Sequence, residues 1–283
     1  MKLLLLAGSL SALLAACASP APVADAAAPA TTTTTDLTAQ KLDRAIAGDW
    51  RSPKNTARDA FRHPRDTLAF FGIAPDQTVI EITPGGGWYS EILAPYLAAD
   101  GHYIAALAKP SRPAGEAAAD QQAIALKFAA DPAHYGHAAT IEFDPKAPVF
   151  GPPASADAVL TFRNAHNWVM GGRQAAMFSG FFDVLKPGGV LGIADHRANP
   201  GPATDGKNGY LTEQQVIAYA TAAGFKLDAR SEINANPKDR KDYAKGVWTL
   251  PPTLTLGDTD KATYLAIGES DRMTLRFVKP RRD

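Results

Sequence analysis

The sequence predicts an α/β protein, a doubly wound and mostly parallel sheet preceded by an N-terminal helical extension. Three observations carry that expectation. Short β-branched or apolar runs alternate with helix-like stretches from Thr78 onward. Three consecutive glycines, Gly85, Gly86 and Gly87, follow the first of those runs and open a helix-like segment. Hydrophobic residues make up 46% of the 283, enough to fill one sizeable core.

The first residues are of another kind. MKLLLLAGSLSALLAACAS has one lysine, an apolar stretch over residues 3–14 and then small residues, the layout of a secretory signal. It is too short to span a bilayer comfortably. Leu14-Ala15-Ala16-Cys17 looks like a bacterial lipobox, in which the cysteine receives a diacylglycerol and becomes the new N-terminus. The other reading is an ordinary signal with a cysteine near its cut site. Cys17 is the sole cysteine, so no intramolecular disulfide is expected and packing must hold the domain together. Two or three acyl chains anchor stably where one does so only marginally. Ala18, rather than aspartate, after the cysteine points to an outer membrane and a periplasm-facing protein. Residues 18–36 are nearly all Ala, Pro and Thr and read as a tether with nothing to bury.

Residues 37–72 read as helical in two or three pieces, from the spacing of Leu42, Ile46 and Trp50, with Pro64 at a first turn. Residues 73–283 then form the α/β domain. Its expected strands cover 78–83, 102–108, 140–143, 158–162 and 190–194, followed by 225–230 and 273–278. Helices are expected over 88–98, kinked at Pro95, and over 115–130, 174–185 and 211–223, the last closed by Gly224. Between the final two strands, NANPKDRKDYAKGVWTLPP reads as a long functional loop. Sheets of this kind bind ligands beyond the carboxyl ends of their strands, where the strand order reverses, and the glycines follow strand one.

Charge sets further bounds. Lysine plus arginine (29) equals aspartate plus glutamate (29), which gives no electrostatic case for nucleic acid. No later apolar run approaches the roughly 18 residues of a membrane span, so membrane contact is expected through the lipid anchor alone. The His, Asp and Glu residues lack metal-ligand spacing, and no metal is expected. A G-x-S-x-G elbow is missing, which argues against a hydrolase.

Glu81 lies inside an otherwise apolar strand, where a carboxylate is costly without a partner, and it shares a strand face with Thr83. Glu81-Ile-Thr-Pro-Gly85-Gly-Gly87 resembles the first motif of class I S-adenosylmethionine-dependent methyltransferases. LKPGGVLGIADH (185–196) resembles that family's approach to strand five, and LTEQQVIAYATAAGFKL (211–227) the helix and strand that follow. The matches run in order over about residues 70–278. PGGGWYSEIL, FRNAHNW and DRMTLRFVKP are similar to a bacterial group of exported methyltransferase-like proteins.

The resemblance implies a Rossmann-like fold, S-adenosyl-L-methionine as cofactor and methyl transfer to a small-molecule or envelope acceptor. Because that cofactor is made in the cytoplasm, a non-catalytic envelope binding protein on the same fold is the alternative. It further implies that Glu81, Thr83, Gly85, Gly86 and Gly87 contact the methionine end. Asp144 would accept a hydrogen bond from the adenine amino group, with Phe143 beside the ring. Arg163 and Asn164 would line the methionine and the reacting methyl. One departure stands out: the family's ribose-binding acid after strand two is replaced by Ala105-Ala106-Leu107-Ala108-Lys109. Lys109 there suits a 2′-phosphate, as in a dinucleotide site. That reading fails at Ser90, where the third glycine belongs, and leaves Glu81 without a role.

Methyl transfer is an in-line displacement that depends mostly on alignment, helped by a base when the acceptor is a hydroxyl. The candidates are His166 and the pair Asp195 and His196, all expected at the carboxyl end of the sheet. Each has a plainer reading as a loop cap or a partner of a backbone carbonyl. Arg58, Asp59, Arg62 and His63 read as a solvated face, with a lid over the cofactor as the alternative. Asp271 and Arg272 read as an ion pair.

Overall fold

The computed structural model describes residues 34–110 and 115–281, so the signal segment, Cys17 and the tether up to residue 33 lie outside the described residues. Helix α1 (Thr34–Ile46) includes three residues that the sequence reading placed in the tether. The rest of the extension breaks into α2 (Pro53–Thr56), α3 (Asp59–Arg62) and α4 (Pro64–Phe71). Pro53 and Pro64 each start a helix, where a missing N–H costs nothing, and Gly72 ends α4 in the left-handed conformation.

Strands and helices then alternate: β1 (Thr78–Ile82), α5 (Ser90–Leu97), β2 (His102–Ala108), α6 (Glu116–Ala130), α7 (Pro132–Tyr135), β3 (Ala139–Phe143) and β4 (Ala156–Phe162). Then come α8 (Ala165–Met170), α9 (Gln174–Val184), β5 (Leu185–His196), α10 (Glu213–Ala222), β6 (Lys226–Ser231), α11 (Lys261–Ile267) and β7 (Arg272–Val278). The seven strands make one sheet in the order β3-β2-β1-β4-β5-β7-β6. β1 pairs in parallel with both β2 and β4, so the order reverses there and opens the crevice at the carboxyl ends. β7 runs antiparallel between β5 and β6, a placement that periodicity does not encode. β5 begins earlier than expected: Gly188, left-handed at φ 85°, donates its N–H to Lys279 O, and Gly189 O accepts from Lys279 N, which carries the pairing with the end of the chain back through this turn.

Both faces of the sheet are covered. Met177, Phe178 and Phe181 of α9 and Val216 of α10 pack on one face with Ile80, Ile82 and Ile193. Leu42 of α1, Leu68 and Phe71 of α4, Ile92 and Leu93 of α5 and Ile124 of α6 pack on the other. Each such side chain contributes about 1.5–3 kcal/mol on full burial. The extension is also tied to α5 by two indoles: Trp50 Nε1 donates to Glu91 O and Trp88 Nε1 to Asn55 O, each at 2.8 Å. It is therefore part of the domain wall, and it brings Arg58 and Arg62 toward the strand ends. Among the described residues no helix is long and apolar enough to cross a membrane.

Candidate functional site

β1 leads into a turn whose backbone is left-handed at Thr83 (φ 49°), Gly85 (57°) and Gly87 (77°). For a threonine this conformation costs on the order of 1–3 kcal/mol and persists only where its neighbours impose it. Here the Thr83 N–H donates to Ala106 O at 2.8 Å, and its carbonyl accepts from Asn164 Nδ2 at 3.4 Å. Asn164 Nδ2 also donates to Ile82 O at 2.9 Å, which fastens the end of β1 to the segment after β4. The glycines have separate roles. A Cβ on Gly87 would stand 3.0 Å from Ile124 Cδ1 and 3.1 Å from Lys127 Cε, so this glycine lets α6 close on the turn. A Cβ on Gly86 would meet nothing within 4 Å, and one on Gly85 only Asp120 Oδ1 at 4.0 Å. Those two present bare backbone to open space.

Glu81 is 2% exposed and packs between α5 and β2. Its Oε2 accepts from Tyr103 Oη at 2.6 Å and from Ser90 Oγ at 3.3 Å. Burial pushes its carboxyl up to about 7, against the opposing pull of those hydroxyls and of the Arg62 charge. The group is thus poised between its two protonation states near neutral pH, and a cation reaching the turn would favour the carboxylate.

Beyond β3, Asp144 is exposed, and its Oδ1 accepts from Lys146 N at 2.9 Å. Phe143 points elsewhere: it is 2% exposed, with its ring 4.9 Å from that of Phe150 in the core. Lys109 at the tip of β2 is exposed and donates its N–H to Phe143 O at 2.8 Å. The carboxylate nearest Gly85 comes from α6, through Asp120. Asp120, Ile124 and Lys127 recur at helical spacing on one face, which is the signal in the sequence that aims Asp120 at the turn.

At β4 and β5 the residues proposed for catalysis come together. Asp195 is fully buried, and its Oδ2 accepts from the backbone N–H groups of Ala165 (2.6 Å) and His166 (3.3 Å). Its Oδ1 accepts from His166 Nδ1 at 3.0 Å and from His196 N at 2.7 Å. The carboxylate thereby assigns the Nδ1–H tautomer to His166 and leaves Nε2 as its basic atom. Burial, then His166 and the nearby arginines, hold His196 well below the usual histidine value, so it is neutral at pH 7. The two imidazoles lie 5.2 Å apart, and Trp248 of the long loop stands edge-on to His166 at 6.1 Å.

Ligand atoms of His166, Asp195 and His196 lie within 4.8 Å of one another, a grouping that sequence spacing conceals. Four donors already occupy the Asp195 oxygens, and the guanidinium groups that disfavour protonation of His196 equally oppose a metal cation. The arrangement suits an oriented base rather than a metal cage.

The helical extension and the start of β7 differ from what their local pattern predicts. Arg62 is 5% exposed and lies over the Trp88 ring at 4.6 Å, so it is no solvated face. Arg272 pairs with Glu269, while Asp271 pairs with Arg197 at 2.9 Å and Lys241 at 2.7 Å. Arg163 adopts a left-handed φ of 64° and turns into a small cavity lined by Arg62, Tyr89, Phe162, Ala194, Asn234 and Arg272.

No family model and no curated protein matches the chain. Solved structures do. The [4+2]-cyclase SpnF is 14% identical over 87% of this chain and 94% of its own, with a TM-score of 0.58. An S-adenosylmethionine-dependent methyltransferase from Aquifex aeolicus is 14% identical over 85% of this chain and 98% of its own, with a TM-score of 0.53. The glycopeptide N-methyltransferase MtfA is 15% identical over 81% and 100%, with a TM-score of 0.50. At these identities the likeness is one of fold. With its strand order and antiparallel β7, the chain has the Rossmann-like fold of the class I methyltransferases.

Proposed function

We propose that the protein binds S-adenosyl-L-methionine at the carboxyl ends of β1, β2 and β3 and transfers its methyl group to a small-molecule or envelope acceptor entering over β4 and β5. The observation that carries this reading is the bare turn, where Gly85 and Gly86 offer backbone to space that a side chain would fill. That cradle fits the group. Glu81 stands by to answer the cationic end of the cofactor, Asp144 faces solvent beside β3 for the adenine, and Asp120 offers the carboxylate that the tip of β2 lacks. Bound, the cofactor supplies a methyl group on a sulfonium whose departure leaves a neutral thioether. His166 Nε2, aimed by Asp195, receives the proton of an acceptor hydroxyl, and His196, held neutral, adds no charge against the imidazolium that forms. If the reading holds, S-adenosylmethionine or its demethylated product raises the melting temperature of the full chain. An unchanged melting temperature at millimolar concentration contradicts it.

A second reading, a non-catalytic envelope binding protein, is favoured by one observation. The cavity beside Arg163 measures about 10 Å³, and Tyr89 lies stacked on Phe162 at 3.6 Å along its wall. A mass spectrum of whatever copurifies separates the two: cofactor or its product favours the first, another envelope molecule the second. The place of action we assign to the cell envelope, with Cys17 lipidated and the domain facing the periplasm, on the strength of the lipobox alone.

A further inference from the structure

Four guanidinium groups converge at the carboxyl ends of β4 and β5 around one carboxylate. Arg58 Nε donates to Glu269 Oε1 at 2.5 Å, Arg62 Nε stands 3.7 Å from Glu269 Oε2, and Arg272 Nη2 pairs with the same oxygen. Arg163 enters from the turn after β4. These residues come from three distant parts of the chain, α3 with its N-terminal flank, the end of β4, and the start of β7, so only the tertiary fold assembles them. The charge is unbalanced: four cations face Glu269, which is itself 3% exposed, with only Asp195 near Arg163 and the half-protonated Glu81 near Arg62 as further acids.

Hydrogen bonding is unbalanced too. Arg62 Nε and Nη2, Arg163 Nε, Arg272 Nε and Arg58 Nη2 are buried without a hydrogen-bond partner. Arg62 and Arg272 are 5% and 4% exposed, so water does not satisfy them from bulk. A buried donor on a charged group is costly to leave unpaired, and several in one place point to an acceptor that the folded chain does not itself supply. The electrostatics agree. Burial first, then the like charges of Arg272 and Arg58, bring Arg163 down to about 10, and Arg62 is likewise depressed. Burial alone would raise Glu269, but Arg272, Arg58 and Arg62 outweigh it and hold that carboxyl down to about 2. Arg62, Arg163 and Arg272 all line the cavity, whose remaining wall is Tyr89, Phe162, Ala194 and Asn234. Asn234 is fixed there because its Nδ2 donates to Thr67 and Thr274 hydroxyls at 3.0 Å each.

We infer that this cavity is an oxyanion site, which takes the carboxylate or phosphate group of a small molecule through Arg62, Arg163 and Arg272. Its volume of about 10 Å³ has room for about one water-sized sphere, so it takes one oxygen of the anion and leaves the rest of the group and the body of the ligand at its mouth. Planar guanidinium forks match either anion. The site stands on its own geometry and holds under either reading; it rests on the methyl-transfer reading only where that ligand is taken to be the methyl acceptor.

The test needs no cofactor. The full chain is melted in sodium chloride, sodium formate and sodium phosphate at matched ionic strength, as wild type, as Arg163→Gln and as Arg65→Gln, a control whose side chain is 54% exposed. The inference expects formate, phosphate or both to raise the wild-type melting temperature by at least about 2 °C over chloride, with Arg65→Gln keeping the rise and Arg163→Gln losing it. A rise in formate alone assigns a carboxylate, and a rise in phosphate alone a phosphoryl group. No rise in either, or a rise undiminished in Arg163→Gln, overturns the inference. Should Arg163→Gln fail to fold, Arg62→Gln, which removes another guanidinium from the wall of the same cavity, reads the same loss. These outcomes are independent of whether S-adenosylmethionine binds, so failure here and failure of the methyl-transfer reading are told apart.

Discussion

Replacing Glu81 with glutamine removes one ionisable group from the wall of the proposed cofactor site and keeps its size. In the folded chain burial lifts this carboxyl from 4.5 to about 7. The folded value lies above the unfolded one, so the fold favours the protonated form. The stability that this contributes is present in full below pH 4.5 and is lost as pH rises through 7. A difference of that size corresponds to about 3 kcal/mol, since one unit is 1.36 kcal/mol. Glutamine cannot ionise, and its amide oxygen still accepts from Tyr103 Oη and Ser90 Oγ, which donate to Glu81 at 2.6 and 3.3 Å. Reversible urea unfolding of both proteins at pH 4.5 and pH 8 supplies the measurement. The variant should gain about 3 kcal/mol on wild type between the two pH values, or roughly 6–12 °C in melting temperature. Parallel pH profiles for the two proteins would refute the reasoning, because they would mean that Glu81 titrates as it does in the unfolded chain.

Gly87→Ala should cost about 1–3 kcal/mol in urea unfolding, because its Cβ would stand 3.0 Å from Ile124 in a left-handed backbone; a loss under 0.5 kcal/mol would contradict the packing role. Asp195→Asn should destabilise by on the order of 3 kcal/mol, since an amide nitrogen would confront N–H donors that now meet a carboxylate; equal stability would show that those contacts are not made. Cys17→Ser should move the protein from the membrane to the soluble fraction, and an unchanged fractionation would refute the lipobox.

How much was legible in the sequence follows from what local spacing encodes. The strands that bracket the turn were readable because TVIEIT and AVLTF are short apolar or β-branched runs between turn signals. Glu81 stood out because an acid inside such a run demands a partner, yet its partners, Ser90 and Tyr103, were hidden on other elements. Gly85, Gly86 and Gly87 read alike as letters; only the approach of Ile124 and Lys127 shows that the third serves packing. Phe143 illustrates the period-2 rule working against inference by resemblance: the ring sealed in the core is the immediate neighbour of the exposed Asp144. The arginine cluster was illegible, since Arg58 and Glu269 lie 211 positions apart and local pattern made Arg62 look solvated.

The central claim is that bare backbone at the tip of β1 holds the cofactor, and Gly86 tests it most directly because a Cβ added there would meet nothing in the folded protein within 4 Å. Wild type and Gly86→Val are titrated with S-adenosylmethionine in a calorimeter after equal melting temperatures confirm equal folding. Saturable binding to wild type and none to Gly86→Val is the predicted result. Equal affinities, or no heat from wild type at millimolar cofactor, would contradict the account.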